Sequence, residues 1–442
     1  MNSVAVLRNH AAATAPSIPR LHPPDSRVAS GLSIQSVLNP FTTKETNVQL
    51  SKMTIAMACL ALCAVNAPAQ VVVTKTAGAK VNVDLSAVTA SGPAAQIVRR
   101  TLEQNLNRSG WMQVAQPAGI LVRGTITEAG GQVAFACTVV DAAERVYINA
   151  TYAQPAALAV HAAHQAAHDI VTRVTGNPSY FLAQLVMIGV RPEGKELHLA
   201  DSSAQVIQPL TADRTIAVKP RWSPDNRFIS YTSYLQRYPD VYTINMTTRQ
   251  RNRISAYPGL NSGGAISPDG ASVALILSKD GNPDLYIKDL ASSRLTRLTH
   301  SRAVEASPTW SPDGQRIVYV SDAVGTPHLY IVSRHGGNPE RLTMRGSQNS
   351  SPDWGKNGLI AYQTMVGGRF QIAIIDPATK QERILTPHDA SYEDPSWAPD
   401  GRHLAAARTI NHRSSIYLLD SMGGDPVALT TSGEWTSPAW SR

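Results

Sequence analysis

Cysteine is almost missing from this chain: of three residues in 442, Cys59 and Cys63 fall inside one apolar run, which leaves Cys137 alone in the remainder. An intramolecular disulfide is thereby excluded after that run, and a chain nearly emptied of thiols suits an oxidising compartment where stray cysteines mispair. Aromatic residues make up only 6% and charged residues 16%. No block of Lys or Arg is long enough to follow a phosphate backbone, so the formal charge of +8 reads as a mildly cationic solvated surface and no nucleic-acid partner is expected. A G-x-S-x-G sequence is absent too. Gly270-Ala271-Ser272-Val273-Ala274 comes nearest and fails at its last position, so the sequence supplies no nucleophile elbow.

What is present begins with 43% apolar residues and 29 each of Gly and Pro, a composition that can bury a sizeable core while breaking the chain into many short elements. Ile55 to Val65 is an uninterrupted apolar stretch of eleven residues, followed by Ala67-Pro68-Ala69 with small-x-small spacing. The run is shorter than the roughly 20 residues that span a bilayer. It predicts a secretory signal over 53–69, cleaved after Ala69, with no membrane insertion. Residues 1–52 show no hydrophobic periodicity and read as an upstream extension, with Met53 the initiator. Leu62 before Cys63 argues against lipidation.

Residues 70–176 read as a small α/β domain. Ser91-Gly92-Pro93 opens a helix carrying Val98, Leu102 and Leu106 at spacing four and closing at Gly110. Ile120 to Thr127 and Val133 to Val139 are β-rich around a turn at Ala129-Gly130-Gly131, and Val133, Phe135, Cys137 and Val139 share a face. A second helix follows Pro155 and runs to Gly176 through His161, His164 and His168. Those spacings raise a metal site for consideration, but no second cluster completes a coordination shell, and helix-surface histidines are the plainer reading.

From 177 to 442 the sequence repeats. Trp222-Ser223-Pro224-Asp225-Asn226 returns at Ile266-Ser267-Pro268-Asp269-Gly270, Trp310-Ser311-Pro312-Asp313-Gly314, Trp354-Gly355-Lys356-Asn357-Gly358, Trp397-Ala398-Pro399-Asp400-Gly401 and Trp440-Ser441, at spacings of 44, 44, 44, 43 and 43. Such a period with a turn signature at each return predicts propeller blades of four strands. Tyr242, Tyr286, Tyr330, Ala373 and Tyr417 mark the third strand, and Ile254-Ser255, Leu298-Thr299, Leu342-Thr343, Leu385-Thr386 and Leu429-Thr430 end the fourth. Leu210-Thr211 lies twelve residues before Trp222, so the chain enters in mid-blade and both ends of the repeat are expected to complete one sheet. The fold class expected is therefore a two-domain protein, a small N-terminal α/β domain followed by a six-bladed β-propeller. Trp packing between blades and the turn chemistry of Pro-Asp-Gly account for the recurring residues without any catalysis.

The loops before each anchor open at the channel mouth, and they supply the candidate partner-binding residues Leu260, Asn261, Gly263, Glu305, Ala306, Gln348, Asn349, Glu393, Asp394 and Glu434. Four carboxylates there predict a locally acidic mouth that suits a basic peptide or a divalent cation, calcium being the candidate for the channel.

Lys279-Asp280-Gly281-Asn282-Pro283, Tyr257-Pro258-Gly259-Leu260-Asn261, Gly346-Ser347-Gln348-Asn349 and the repeated Trp-Ser-Pro-Asp-Gly, behind a first domain whose helix ends at Thr175-Gly176, resemble the TolB family of the Tol-Pal envelope system over essentially all of 70–442. The resemblance implies a periplasmic, monomeric, non-enzymatic scaffold. It also implies a Pal-type peptidoglycan-associated lipoprotein at the propeller mouth, with Leu260, Gly263 and Ala306 at the positions used, and a TolA-type inner-membrane partner at the N-terminal segment Val71, Val72, Val73, Thr74 and Lys75. Outer-membrane integrity and constriction at division would be the role. Two enzyme readings compete: a prolyl-oligopeptidase-type propeller, for which the nucleophile elbow is wanting, and a metal-dependent hydrolase built on the acidic mouth.

Overall fold

The computed structural model describes residues 80–442, so the export segment and Val71–Lys75 lie outside the described residues. The first domain runs β1 (Val81–Asp84), β2 (Val88–Ser91), α1 (Pro93–Arg108), β3 (Met112–Val114), β4 (Ile120–Ala129), β5 (Gln132–Asp141), β6 (Val146–Pro155) and α2 (Ala159–Thr175). Its sheet has the order β3-β1-β4-β5-β6, with β2 on β4; β4, β5 and β6 are antiparallel neighbours and the short strands add in parallel. Alternation decides the faces: Val133, Phe135, Cys137 and Val139 are all buried, in one core with both helices. Against that sheet α1 packs Val98, Leu102 and Leu106, while α2 brings Ala162, Ala163, Ala166 and Ala167, small enough for the helices to approach closely. Burial pushes the Cys137 thiol up to about 12, so it is an inert core residue.

The start of α1 differs from the sequence expectation. Gly92 holds the N-cap position without a side-chain cap, and the orphan amide of Ala94 is satisfied instead by the Glu128 carboxylate of β4 at 2.7 Å. Four elements escaped the sequence reading: β1, β2 and β3 are too short for periodicity, and β6 alternates only weakly.

Six four-stranded sheets follow. Blade 1 is Ala217–Trp222, Phe228–Gln236, Tyr238–Asn245 and Arg251–Ser255; the inner strands of blades 2 to 5 are Asn261–Ile266, Glu305–Trp310, Asn349–Trp354 and Ser391–Trp397. Blade 6 joins the inner strand Trp435–Trp440 to β7 (Gln184–Arg191), which pairs on to β8 (Gly194–Asp201) and β9 (Ile207–Pro209). Ser441 reinforces the junction, donating its amide to the Gln184 carbonyl at 2.8 Å and accepting the Gln184 amide on Oγ at 2.9 Å.

The repeated residues do local work. Ser223 Oγ donates to Asp225 at 2.6 Å and accepts the Phe228 amide at 2.9 Å, while Asn226 takes the left-handed φ of 58° that Gly270, Gly314, Gly358 and Gly401 supply in the other turns. The Leu-Thr landmark is a clasp on the third strand. Thr211, Thr299, Thr343, Thr386 and Thr430 accept the amides of Leu197, Leu285, Leu329, Ile372 and Ile416 at 2.8–3.0 Å, each fourteen residues back. The fourth strands of blades 2 to 5 accordingly stop before that pair, rather than on it. Between blades, the Trp222 and Trp310 indoles donate to the carbonyls of Ala439 and Ala265 in the preceding blade.

The two domains share one apolar core. Tyr180 and Phe181 wedge between them, with the Tyr180 ring 4.8 Å from His403 and 5.6 Å from Trp440, and the Arg402 guanidinium covers the Trp111 ring at 4.2 Å. One buried histidine–carboxylate contact crosses the same seam: His164 Nε2 of α2 lies 2.7 Å from Asp201 Oδ2 of β8. His164 is thus an interdomain link, neither helix-surface residue nor metal ligand. Among the described residues no group of three potential metal ligands gathers, and no helix is long and apolar enough to cross a membrane.

Candidate functional site: the propeller mouth and shaft

Each inner strand carries the same irregularity. Its pairing register shifts between the fourth residue before the anchor, or the third in blade 2, and the residue just before it. Proline stands inside this bulge at 220, 308, 352, 395 and 438, where a missing N–H costs no ladder bond. The residue before it takes a left-handed backbone in every blade: Lys219, Gly263, Ser307, Ser351, Asp394 and Ser437 have φ between 47° and 94°. For the five that are not glycine this costs on the order of 1 kcal/mol each, a recurring strain that aims six side-chain positions at the axis. Gly263 meets it without strain, and a Cβ there would press on Pro308 at 3.1 Å.

Those positions close the shaft. Lys219 reaches across from blade 1 to the Asp394 carboxylate of blade 5 and to Ser351 Oγ of blade 4 at 3.0 Å; Ser351 and Ser437 also donate to Asp394, at 2.8 and 2.7 Å. Burial would raise the Asp394 pKa, but the Lys219 cation and these hydrogen bonds prevail and hold it at about 2. A permanently ionised carboxylate matched to an ammonium leaves no vacancy for a cation, and the channel residues do not fit calcium, which requires six to eight oxygen ligands.

In blades 2 to 4 the residue that begins the inner strand faces the preceding blade instead of the mouth. Asn261, Glu305 and Asn349 are buried there. Asn261 accepts from Ser255 Oγ and the Tyr257 amide and donates to the Tyr257 carbonyl. Asn349 Nδ2 lies 2.9 Å from His328 Nδ1 and donates to the Arg345 carbonyl. Glu305 accepts the Leu285 amide at 2.9 Å and the Thr299 hydroxyl, inside the Leu-Thr clasp of blade 2. Leu260 and Ala306 are half-buried against the apolar cores of the blades, Glu393 and Glu434 are half-buried, and Gln348 is exposed. Burial, and then Asp394, raise the Glu393 pKa.

Desolvation of Glu305 outweighs its hydrogen bonds and raises its pKa to about 7 from 4.5. A carboxyl whose folded pKa lies above its unfolded value contributes stability that is whole below pH 4.5 and lost as pH rises through about 7. Glu305→Gln is therefore expected to leave stability near pH 4 unchanged and to raise it at pH 8 by about 3 kcal/mol. Urea unfolding of both proteins at the two pH values checks this; an equal effect at both would refute it.

The mouth is less acidic than the sequence suggested, because two of the four carboxylates turn inward: Glu305 against blade 2 and Asp394 into the shaft. Of the large apolar side chains exposed among the described residues, Ile216, Tyr234, Leu235, Tyr238, Val304, Val324, Met344 and Ile410 all sit in or beside the loops of this face. Tyr238, on the hairpin of blade 1, is 71% exposed. Arg214, Arg237, Arg302 and Arg345 are exposed between them. Sequence reasoning passed over this rim because exposure of an apolar loop residue has no periodic signature.

A family model described as the TolB beta propeller domain matches residues 171–442. The Tol-Pal system protein TolB of Alcanivorax borkumensis is 30% identical over 144 residues, which are 32% of this chain and 33% of that protein. Its counterpart in Legionella pneumophila is 26% identical over 194 residues, 39% of this chain and 46% of the other. The chain thus spans between a third and a half of the length of these curated relatives. The crystal structure of TolB from Acinetobacter baumannii superposes with a TM-score of 0.72 at 24% identity, covering 83% of this chain and 98% of that one, a likeness of fold.

Proposed function

The chain belongs to the TolB β-propeller family, and from that premise we propose that it is a non-enzymatic periplasmic scaffold of the Tol-Pal system. Its loop-face mouth grips a Pal-type peptidoglycan-associated lipoprotein, and its segment Val71–Lys75 engages a TolA-type inner-membrane partner, in the service of outer-membrane integrity and constriction at division. The observation that carries the reading is the rim. Tyr, Met and Arg are the residues enriched where proteins meet, and Tyr234, Tyr238, Met344 and the four arginines ring one face of a rigid six-bladed frame. The Lys219–Asp394 cluster beneath supports the same view, since it gives the mouth a polar floor.

Calorimetric titration with the soluble domain of such a lipoprotein tests it. Tyr238→Ala combined with Met344→Ala is expected to weaken binding at least about tenfold, as truncating interface anchors does, with the melting temperature unchanged because both side chains are exposed. Met422→Ala, on the opposite face and equally exposed, is the control. Undiminished binding by the double variant would remove the loop face from the proposal.

A further inference from the structure

We propose that the opposite, turn-face mouth of the shaft is a second binding site, taking an organic carboxylate that carries an apolar group beside its charge. The cavity there has a volume of about 140 Å³, room for one benzene-sized apolar group, which a cavity of roughly 150 Å³ accommodates. Trp222, Trp310, Pro224, Pro268 and Pro312 wall it, and Arg221 and Arg442 form its floor. The Trp222 and Trp310 indole N–H groups are already spent on blade carbonyls, which leaves ring faces toward the cavity.

Two guanidiniums share one side-chain carboxylate at the floor. Arg442 takes Asp353 with both terminal nitrogens, at 2.5 and 3.4 Å, and the Trp397 amide takes the same carboxylate at 2.7 Å. Arg221 stands 4.0 Å off, with the Pro352 carbonyl at 3.4 Å as its hydrogen-bond acceptor among the described residues. The next carboxylate up the shaft, Asp394, is occupied by Lys219 and two serines. Burial and the nearby Arg442 both disfavour the Arg221 cation, with Asp353 and Asp394 supporting it. A guanidinium does not shed its proton at physiological pH, and it carries five donors in a fork matched to a carboxylate. Arg221 thus shares Asp353 only at 4.0 Å and keeps donors of its fork without a close acceptor among the described residues, and the exposed Lys356 on the same wall adds positive charge. The apolar walls select what accompanies the anion: a bare hydrated ion would leave the indole and proline surfaces uncovered, whereas an aryl or branched aliphatic group would cover them. The carboxylate could belong to a free small molecule or to the last residue of a chain.

Titration of the full chain with 3-phenylpropionate, read by the emission of the lining tryptophans and by calorimetry, is expected to saturate, and neutral 3-phenylpropanamide is expected not to bind. Arg221→Gln should weaken binding about tenfold or more. Arg442→Gln should do the same with Arg221 intact, because it frees Asp353 to neutralise Arg221; this second variant keeps the test decisive if the first folds poorly. A short peptide ending in free Phe that binds more tightly than N-acetylphenylalanine assigns the carboxylate to a chain end, and equal affinity assigns it to a free acid. Absence of saturation at millimolar probe, or binding that both variants leave intact, overturns the proposal.

Discussion

Deleting residues 435–442 is expected to abolish cooperative unfolding of the propeller and to yield an aggregating protein. The deletion leaves β7 as an open edge whose N–H and C=O groups, from Leu185 to Gly189, lose their partners on the last strand. It also strips apolar cover from Leu185, Met187 and Tyr180, all within the core shared by the two domains. A finer version changes one side chain. Trp440 is 1% exposed and packs on Tyr180, so Trp440→Ala should cost about 3–5 kcal/mol through the cavity it creates. Trp440→Phe should cost much less, since the indole N–H has no hydrogen-bond partner among the described residues to lose. Circular dichroism melts and urea titration report both. A truncated chain that melts cooperatively at the parent temperature would show that the ring does not depend on this strand.

Separating the domains should be nearly as costly. Asp201 is held by His164, by Ser203 through hydroxyl and amide, and by the Val206 amide at 2.7 Å. Burial works to raise its pKa, but these hydrogen bonds outweigh it and lower it from 3.8 to about 2. His164→Ala is expected to cost about 3–5 kcal/mol, because it leaves a carboxylate in the seam without its counterpart, and Asn105, whose amide lies 2.9 Å from His164 Nδ1, loses its partner as well. The pH dependence follows from the depressed acid: its contribution, about 2 kcal/mol, is present above the unfolded value near 3.8 and disappears as pH falls through about 2. Acid unfolding of wild type and Asp201→Asn, followed by tryptophan emission, should show a stability loss between about pH 4 and 2 that is smaller by about 2 kcal/mol in the second. Superimposable acid curves would contradict this account.

Blade count was legible because it rests on a backbone requirement repeated at fixed distance: a turn that needs Asp and a left-handed residue at 226, 270, 314, 358 and 401 cannot drift without losing its strand pairing. The bulge was equally periodic, with Pro two residues before five anchors, and it alone would have placed Lys219 and Asp394 on the shaft axis. Other features had no such signature. Glu305 and Glu434 look alike in sequence; only the packing of blade 3 against blade 2 buries the first. His164 sits among helix histidines, and its partner Asp201 lies 37 residues on in another domain, a pairing that helical spacing cannot express. The rim depends on which loop tips meet solvent, a property of the assembled ring.

Pairing Trp435–Trp440 with β7 also sets a schedule. Bonds such as that between Ser441 and Gln184 join residues 257 apart, and closing so long a segment adds only logarithmically to the entropy of folding while placing the event last in time. Five blades can form in order as the polypeptide is made, but β7, β8 and β9 wait as an unfinished sheet until the final strand arrives.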